Sequence, residues 1–579
     1  MTYEKDIPDY AMVPAIETAR EPSKETALQP EEKLITPVTK GSIYSQIQVT
    51  NISEKQKTVI IIEEDILVPD TKPDLREILL IDGKARLTPR EQERSGKGED
   101  YIDLAGEIDL QTLYMPENMQ QAEAVIPVQT RIPFKDRWHT AVAPGAAITL
   151  ECWPEKIDYM VINERKYRVK IFLAVKAREC SERKLDVFEG LSGEDIQVLK
   201  EKIEITNVSL KKKDTVTISE ILDIKEEQPV EAILKQDICV TENYKQITGE
   251  KMIINGFVYI NLLYSVARQA CPPETETAPE TETALRYAGT DHIRQAQERV
   301  EFTQFIPLTG GGQMSGSKVT FDSSGLRVRL INDHEQGEVM QLEGDIITCA
   351  ELYSNIEKEI IVDGYHREKD FICDFTEEKC RTLVGTATGE ASIREIISPD
   401  PAYGDLERII YTSAEITSGT SRSEPGKVVT EGETCVKLIC QGRTSKEAEP
   451  QIFSLKQQVP FRIVTTMPQL AGGEVISDKL HIKDVWCEKI NGKQIEFNAC
   501  AVVNAEIMKE KPFKVLVNPA FEERRVKERQ VPMVVYVTGK NDSLWSIAKK
   551  FKTTADTISQ INQLDGKPLQ EGMKLLILK

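Results

Sequence analysis

The pattern of LAGEIDLQTLY, from Leu104 to Tyr114, recurs twice further along the chain, and it is more worn in the third copy. Its copies are INGFVYINLLY, from Ile254 to Tyr264, and TEGETCVKLIC, from Thr430 to Cys440. Alternation with a period of two places one set of side chains on the buried face of a sheet. The alternating residues are Ile108, Leu110 and Thr112, then Val258, Ile260 and Leu262, and finally Thr434, Val436 and Leu438. The pattern predicts three equivalent strands, each with a glycine that marks a bulge or a close backbone approach, namely Gly106, Gly256 and Gly432.

Two further blocks flank each of these strands in the same order. The upstream block combines proline and acidic residues and ends in an apolar pair, as in VPDTKPDLREIL (Val68–Leu79), IKEEQPVEAIL (Ile224–Leu234) and SPDPAYGDLERII (Ser398–Ile410). It predicts a turn that leads into one helical turn or into the start of a strand. The downstream block ends in a phenylalanine and opens another strand-rich stretch, at Phe134, Phe302 and Phe461.

The repeat glycines lie 150 and 176 residues apart, so each repeat is long enough to be a domain. We therefore predict three homologous β-rich, sandwich-like domains in tandem, at residues 41–190, 191–365 and 366–522. The low-complexity stretch at 272–284 lengthens the second repeat and reads as a disordered loop. Residues 1–40 have the composition of a flexible arm, and residues 523–533 form a charged linker before a last small domain at 534–579.

Composition restricts the class of protein. The 579 residues include 40% hydrophobic and 29% charged residues, which is typical of a globular protein, and the length predicts about four domains. No apolar run approaches the ~18 residues that a membrane span requires, and the N-terminus (MTYEKDIPDY) predicts no signal peptide. A net charge of −20 argues against nucleic acid as the main partner, although solubility accounts for the same acidity. The eleven cysteines, from Cys152 to Cys500, have no metal-ligand spacing and are expected to be reduced in a cytosolic protein.

The last 44 residues have a different pattern. A short strand leads to Asp542 and Ser543, which are good helix N-caps. Apolar residues then recur at helical spacing in Leu544, Ile547, Ala548 and Phe551. Thr553 and Thr554 are predicted to cap a second helix, which carries Ile558 and Ile561. The turn at 565–568 leads to a final strand with Leu575 and Ile577. The predicted order is β-α-α-β.

This segment resembles the LysM domain. The family pattern is carried by Tyr536, Asp542-Ser543-Leu544, Ile547-Ala548, Asn562, Leu564 and Leu569-x-x-Gly572-x-x-Leu575-x-Ile577. The sequence departs from it at Asn541, where the family has glycine; asparagine is a good substitute at a positive φ. The resemblance implies a ligand made of N-acetylglucosamine, held between the first loop and the loop after the second helix. The candidate contacts, to glycan or to a protein partner, are Asn541, Asp542, Ser543, Leu544, Trp545, Asn562, Gln563 and Leu564.

Structural roles compete with binding at several of these positions. Asp542 and Ser543 are read as helix caps before ligands, and Asn562 as a turn former before a groove residue. Trp545 lies off the apolar stripe of its helix, so it is either an exposed contact residue or a ring that completes a small core. The domain carries seven lysines against four acids, a net charge of +3, which leaves −23 on the rest of the chain.

The sequence carries no pattern for catalysis, a metal or a cofactor. There is no G-x-S-x-G elbow, no H-E-x-x-H helix and no Cys/His grouping of useful spacing. The stretch GGQMSGSK (311–318) approaches a phosphate loop, but Ser precedes Lys after Gly316 and no helix follows, so we read it as a flexible loop. We therefore expect no enzymatic activity. A hydrolase with an unrecognised catalytic site in one β domain is the alternative.

The Pro-acid block and the glycine-containing strand resemble the SPOCS domain of clostridial spore proteins. Three such domains followed by one LysM domain resemble the SipL-type spore-coat morphogenetic proteins. That resemblance implies a scaffold in the mother-cell cytoplasm at the forespore surface and in the spore coat, which binds the SpoIVA-like coat ATPase through its LysM domain, contacts other coat proteins and self-associates. The alternative is a protein that binds peptidoglycan in the cell wall or the spore cortex.

Overall fold

The structure, a computed structural model, consists almost entirely of antiparallel strands. It contains 23 β-strands, two α-helices and one 3-10 turn at Pro401–Tyr403 within the residues that it describes. This confirms the mainly β class that the alternating patterns predict. The structure describes residues 36–37, 42–54, 57–88, 101–118, 123–143, 145–191, 196–267, 290–308, 314–333, 337–445, 447–522, 532–564 and 566–578.

The first repeat folds into two facing sheets. One is a three-stranded sheet with the repeat strand β5 at its centre, and the other has four strands, three of which pair with β8. Residues from both sheets share one core, including Ile108 and Leu110 on one side and Ile171 and Leu173 on the other. The strands, after a two-residue β1 (Thr36–Pro37), are β2 (Ser42–Glu54), β3 (Thr58–Leu67), β4 (Leu75–Leu87), β5 (Tyr101–Pro116), β6 (Ile126–His139), β7 (Ala147–Asn163) and β8 (Lys166–Leu191).

The second and third repeats use the same strand order. In each, a three-stranded sheet faces a sheet built on one long last strand, β15 or β21. The second repeat comprises β9 (Ile196–Ile221), β10 (Val230–Ile247), β11 (Lys251–Val266), β12 (Ile293–Pro307), β13 (Gly316–Asp322), β14 (Arg327–Asp333) and β15 (Gly337–His366). The third comprises β16 (Asp370–Ile397), β17 (Asp405–Glu424), β18 (Lys427–Arg443), β19 (Gln451–Thr466), β20 (Val475–Asn491) and β21 (Gln494–Glu522).

The repeat strands β5, β11 and β18 have the predicted alternation, and all nine of the alternating residues are buried. The upstream blocks lead into strands β4, β10 and β17, and the 3-10 turn precedes the last of these. Strand starts therefore replace the helical turn that was the other interpretation of these blocks, except at Pro401–Tyr403.

The repeat glycines are places of close approach, as predicted. Each pairs across the sheet with the phenylalanine of the downstream block, in the pairs Gly106–Phe134, Gly256–Phe302 and Gly432–Phe461. A Cβ atom at Gly432 would lie 2.7 Å from the Phe461 ring and 2.3 Å from the backbone oxygen of Ser418. The ring covers the space that the missing side chain leaves, so glycine and phenylalanine form one packing unit.

Contacts divide the chain into two compact units. The larger comprises residues 41–364 and 374–517, and the smaller includes residues 365–373 and 518–579. All three three-stranded sheets lie in the larger unit. The three predicted domain boundaries, at 41–190, 191–365 and 366–522, therefore stay a prediction. The predicted loop at 272–284, and nearly all of the arm and the linker, lie outside the described residues.

Within the larger unit the repeats contact one another in a closed cycle. The residue five places after each repeat glycine reaches the next repeat. Gln111 Nε2 donates to Leu234 O at 3.0 Å, Asn261 Nδ2 donates to Thr412 O at 3.0 Å, and Lys437 Nζ donates to Asp82 Oδ1 at 2.6 Å. One apolar cluster joins equivalent residues of all three repeats, including Leu79 and Leu113, Leu234 and Leu263, and Ile410 and Ile439. The first, second and third repeats thus form a ring.

Candidate binding site in the C-terminal module

The C-terminal module has the predicted β-α-α-β order. Strand β22 (Met533–Val537) pairs antiparallel with β23 (Lys574–Leu578), and helices α1 (Leu544–Phe551) and α2 (Ala555–Ile561) lie between them in sequence. Its buried core contains Ile547, Ala548, Ile558, Leu564, Leu575 and Ile577. The apolar spacing that predicts α1 therefore correctly identifies the face that it buries.

Hydroxyl side chains begin both helices. The Ser543 side chain accepts a hydrogen bond from Ser546 N at 3.0 Å, and Ser546 Oγ accepts one from Ser543 N at 2.9 Å, which completes a capping box. Thr554 Oγ1 accepts from Thr557 N at 3.0 Å at the start of α2. Two of the predicted caps, Ser543 and Thr554, are confirmed. Thr553 is buried beside them, and its carbonyl accepts a hydrogen bond from the Tyr365 hydroxyl.

Asp542 holds the first loop and does not cap α1, which corrects the prediction for this residue. Its Oδ2 accepts hydrogen bonds from Gly539 N at 2.7 Å and from the Tyr536 hydroxyl at 2.8 Å. These two donors lower the pKa of the Asp542 carboxyl, with the backbone N–H contributing most. Asn541 is exposed beside it, and its φ lies outside the left-handed region, so the predicted positive φ is wrong. A non-glycine residue is unstrained there.

The loop after α2 places its three candidate residues differently. The Asn562 amide donates to Leu576 O at 2.7 Å and to Ile558 O at 2.9 Å, and its Oδ1 accepts from Leu576 N at 2.7 Å. Asn562 thus joins the end of α2 to β23, and Leu564 is buried in the core. Gln563 is exposed and adopts a φ of 51°. Of these three, Gln563 presents its side chain to solvent.

Trp545 contacts another ring of the same compact unit. Its centroid lies 5.0 Å from that of Tyr365, whose side chain is buried in the module's core and whose hydroxyl donates to Thr553 O. Tyr365 belongs to the segment 365–373, which comprises the end of β15 and the start of β16. The interpretation of Trp545 as a ring that completes a small core therefore fits this contact. Its role in binding, like that of the other candidate residues, stays a prediction.

One apolar surface of the module has no covering element in the described residues. It comprises Met533, Val535 and Val537 of β22 and Leu578 of β23, which are 54%, 63%, 54% and 39% exposed. Met533 pairs with Leu578, and Val535 pairs with Leu576, so these side chains share the sheet face opposite the helices. We call this surface the outer strand face. This surface was not predicted, although the sequence signals it. The strand MVVYV is apolar at every position, whereas a strand with one covered face needs only alternate apolar residues.

One lysine lies on the outer strand face and another on the helix side of the module. Lys574 pairs with Val537 across the sheet and shares its face. Lys550 of α1 has its Nζ 4.8 Å from the centre of the Tyr536 ring, which packs against the core. Together with the net charge of +3, this gives the module an apolar surface in a basic environment, on a chain that is otherwise strongly acidic.

Other parts of the described chain offer little chemistry. Asp74, Glu117 and Glu164 are close enough to hold a cation, but all three are exposed, and Arg165 bonds to Asp74 at 3.0 Å. In the stretch GGQMSGSK, residues 316–318 belong to strand β13, so the predicted flexible loop is wrong for this part; residues 311–313 lie outside the described chain. The ten cysteines that the structure describes are unpaired. Among the described residues, neither helix has the length or the apolar character to cross a membrane.

Comparison with known families supports the identity of the module alone. The family model of the LysM domain matches residues 536–578. No curated protein matches the chain. No solved structure matches it either. The chain therefore contains a LysM domain, in the position where the sequence pattern predicts one.

Proposed function

We propose that this chain is a non-enzymatic scaffold that attaches to a protein partner through its LysM domain. The observation that carries the proposal is the outer strand face, where Val535 and its neighbours expose aliphatic side chains on a domain with a very small core. Burial of such side chains against a partner contributes roughly 1.5–3 kcal/mol each when it is complete. Glycans are usually contacted through ring stacking and hydrogen bonds, whereas a row of aliphatic side chains suits a protein surface.

The resemblance to the SipL-type proteins supplies the finer form of the proposal. The partner would be the SpoIVA-like ATPase of the coat basement layer, and the place would be the mother-cell cytoplasm at the forespore surface. The three repeats would correspond to SPOCS domains that contribute spacing and contacts with other coat proteins. A small interface suits a polymeric partner, because many copies bound side by side gain affinity through effective concentration.

Binding to polymers of N-acetylglucosamine is the second candidate function. It is favoured by the match to the LysM family and by Asn541 and Gln563, which are exposed in the two loops that hold the glycan in that family. The two functions use different surfaces. Variants can therefore separate them.

The experiment compares pelleting of the full chain with assembled SpoIVA-like polymer and with purified peptidoglycan. The Val535→Glu variant places a charge on the outer strand face and is expected to abolish pelleting with the polymer. The matched groove variant combines Asn541→Ala with Gln563→Gly, since glycine tolerates the positive φ, and is expected to leave that pelleting unchanged. The proposal would be contradicted if the wild-type chain pelleted with peptidoglycan and the groove variant alone abolished that pelleting. This result would establish the glycan function.

A further inference from the structure

The ring of three repeats encloses a cavity that the LysM function does not use. Its volume is about 530 Å³, and it lies entirely within the larger compact unit. Every repeat contributes to its wall, for example through Arg178 of β8, Lys212 of β9 and Lys479 of β20. A cavity of this size holds a small molecule. Its lining contains no residue of the LysM domain.

One part of the wall is a network of paired charges at equivalent positions of the three repeats. Arg178, Glu351 and Glu506 each follow an alanine on the last long strand of their repeat. Arg178 lies 3.1 Å from Glu351 Oε2 and donates to the Tyr353 hydroxyl at 3.0 Å, and that hydroxyl donates to Glu506 at 3.1 Å. These groups pair mainly with one another, and Glu506 Oε2, which accepts no hydrogen bond among the described residues, lies 3.4 Å from Lys318 Nζ.

Another part of the wall carries lysines without such pairing. Eight basic and six acidic residues line the cavity, a surplus of two positive charges in a chain whose net charge is −20. Lys176, Lys211, Lys245 and Lys318 pair with lining glutamates. In the described part of the chain, Lys212, Lys213 and Lys479 have no carboxylate within 4.0 Å. The acids left over are Glu151, which has no basic partner there, and Asp478, which accepts a hydrogen bond from Ser421.

The environment of His481 is consistent with a positive potential in this part of the cavity. Burial, together with the nearby charges of Lys479 and Lys483, lowers the pKa of the His481 imidazole to about 4, against the opposing effect of Glu390. His481 therefore remains neutral near pH 7 and adds a hydrogen-bonding group to the wall without a charge.

We propose that this cavity binds a small anion with two or more negative charges, of the carboxylate or phosphate class. Lys212 and Lys213 of the second repeat and Lys479 of the third would contact it. Lys212 is half-buried, and a half-buried ammonium group attracts an anion more strongly than an exposed one does, whereas Lys213 and Lys479 are exposed. The ligand would bridge two repeats and stabilise the closed ring, because a ligand that binds the folded state alone shifts the unfolding equilibrium.

The test is calorimetric titration of the full chain with citrate and, separately, with pyrophosphate, at constant ionic strength maintained with sodium chloride. Saturable binding of either anion is expected, and the arm that binds identifies the class as carboxylate or phosphate. The Lys212→Ala/Lys479→Ala variant should bind at least about tenfold more weakly. The matched control is Lys202→Ala, which removes a lysine of the same strand β9 that lies outside the cavity and pairs with Glu357.

Three outcomes would overturn the proposal. The first is the absence of heat of binding for both anions, and the second is equal affinity in the cavity variant and the control. The third is binding that disappears when the ionic strength is raised, whichever salt is used, which indicates general screening. Circular dichroism of each variant establishes that the β fold is intact. The LysM variants should bind the anion normally, so failure of this proposal and failure of the attachment function are distinguishable.

Discussion

The most buried charge in the described chain predicts a large loss of stability when it is removed. Lys235 is 1% exposed, and its Nζ lies 2.9 Å from Asp82 Oδ2 and 2.7 Å from Asp237 Oδ2. Asp82 belongs to the first repeat and also accepts a hydrogen bond from Lys437 of the third. Two ammonium groups and two carboxylates thus form a neutral cluster where the three repeats meet.

Replacement of Lys235 by leucine leaves Asp82 with Lys437 as its ion-pair partner and removes the ammonium group that pairs with Asp237. Removal of one partner from a buried ion pair costs about 3–5 kcal/mol, because the remaining charge stays buried without compensation. The equivalent residue of the first repeat is Leu80, so leucine suits the backbone at this place. The double variant Lys235→Leu/Asp237→Ser copies residues found at the equivalent positions of the other repeats. It should recover a substantial part of the loss.

The assay is urea denaturation of the full chain, with circular dichroism as the signal. The control is Lys200→Leu, which removes an exposed pair with Glu359 and should change the free energy of unfolding by less than about 1 kcal/mol. A change in Lys235→Leu no larger than that of the control would refute the reasoning. So would a double variant that is less stable than the single one.

The same cluster predicts acid sensitivity. Burial alone would raise the pKa of the Asp82 and Asp237 carboxyls, but the charges of Lys235 and, for Asp82, Lys437 outweigh it, so both pKa values are lowered in the folded chain. A lowered pKa contributes stability above the ordinary carboxyl pKa of about 4, and this stability is lost as the pH falls through the folded value. Unfolding free energy should therefore fall below about pH 4 in the wild type and fall less steeply in Lys235→Leu/Asp237→Ser.

Three further changes test the repeat and the LysM domain. Gly432→Ala places a Cβ atom 2.3 Å from the Ser418 backbone oxygen and should lower the free energy of unfolding in urea by at least about 1–3 kcal/mol. The control Gly249→Ala should be neutral, because its Cβ atom would have no neighbouring atom within 4 Å. Equal effects of the two variants would contradict the steric argument. Tyr365→Phe removes the hydrogen bond to Thr553 O and should lower the free energy of unfolding by about 0.5–1.5 kcal/mol. It should also shift the fluorescence emission of Trp545, whose ring contacts Tyr365. Unchanged stability and emission would exclude the contact. Asn562→Ala breaks the hydrogen bonds that join α2 to β23 and should destabilise the LysM domain by roughly 1–3 kcal/mol. The measurement is hydrogen exchange at the backbone N–H of Leu576. Normal protection of that N–H would show that the Asn562 side chain has no structural role.

Local patterns predicted the parts of the fold that depend on neighbours in sequence. Alternation identified β5, β11 and β18, and the glycine and phenylalanine blocks anticipated a close approach that the Gly106–Phe134 pair confirms. Helical spacing and hydroxyl caps located α1 and α2 within a residue or so. In each case the residues of a single strand or a single helical turn are enough to determine the local structure.

The rest depends on contacts across long stretches of chain. The ring and its ion cluster bring Asp82, Lys235 and Lys437 together. Neither lysine is repeated in the other copies, since Lys235 corresponds to Leu80 and Tyr411 and Lys437 to Gln111 and Asn261, so comparison of the copies does not reveal the pairing. Asp542 looks like a cap in sequence because it precedes a helix, but the Tyr536 hydroxyl and Gly539 N–H compete for its carboxylate. The outer strand face was not predicted because an apolar strand is expected to be buried, and its exposure becomes evident only when the elements packed against it are known.

Imaging of a fluorescent fusion in sporulating cells tests most directly whether the LysM domain attaches this chain to a protein surface. We predict a ring of fluorescence around the forespore for the wild type, the same ring for the groove variant Asn541→Ala/Gln563→Gly, and diffuse fluorescence for Val535→Glu at equal protein level. A ring that persists in Val535→Glu, or a wild type that stays diffuse, would contradict the account.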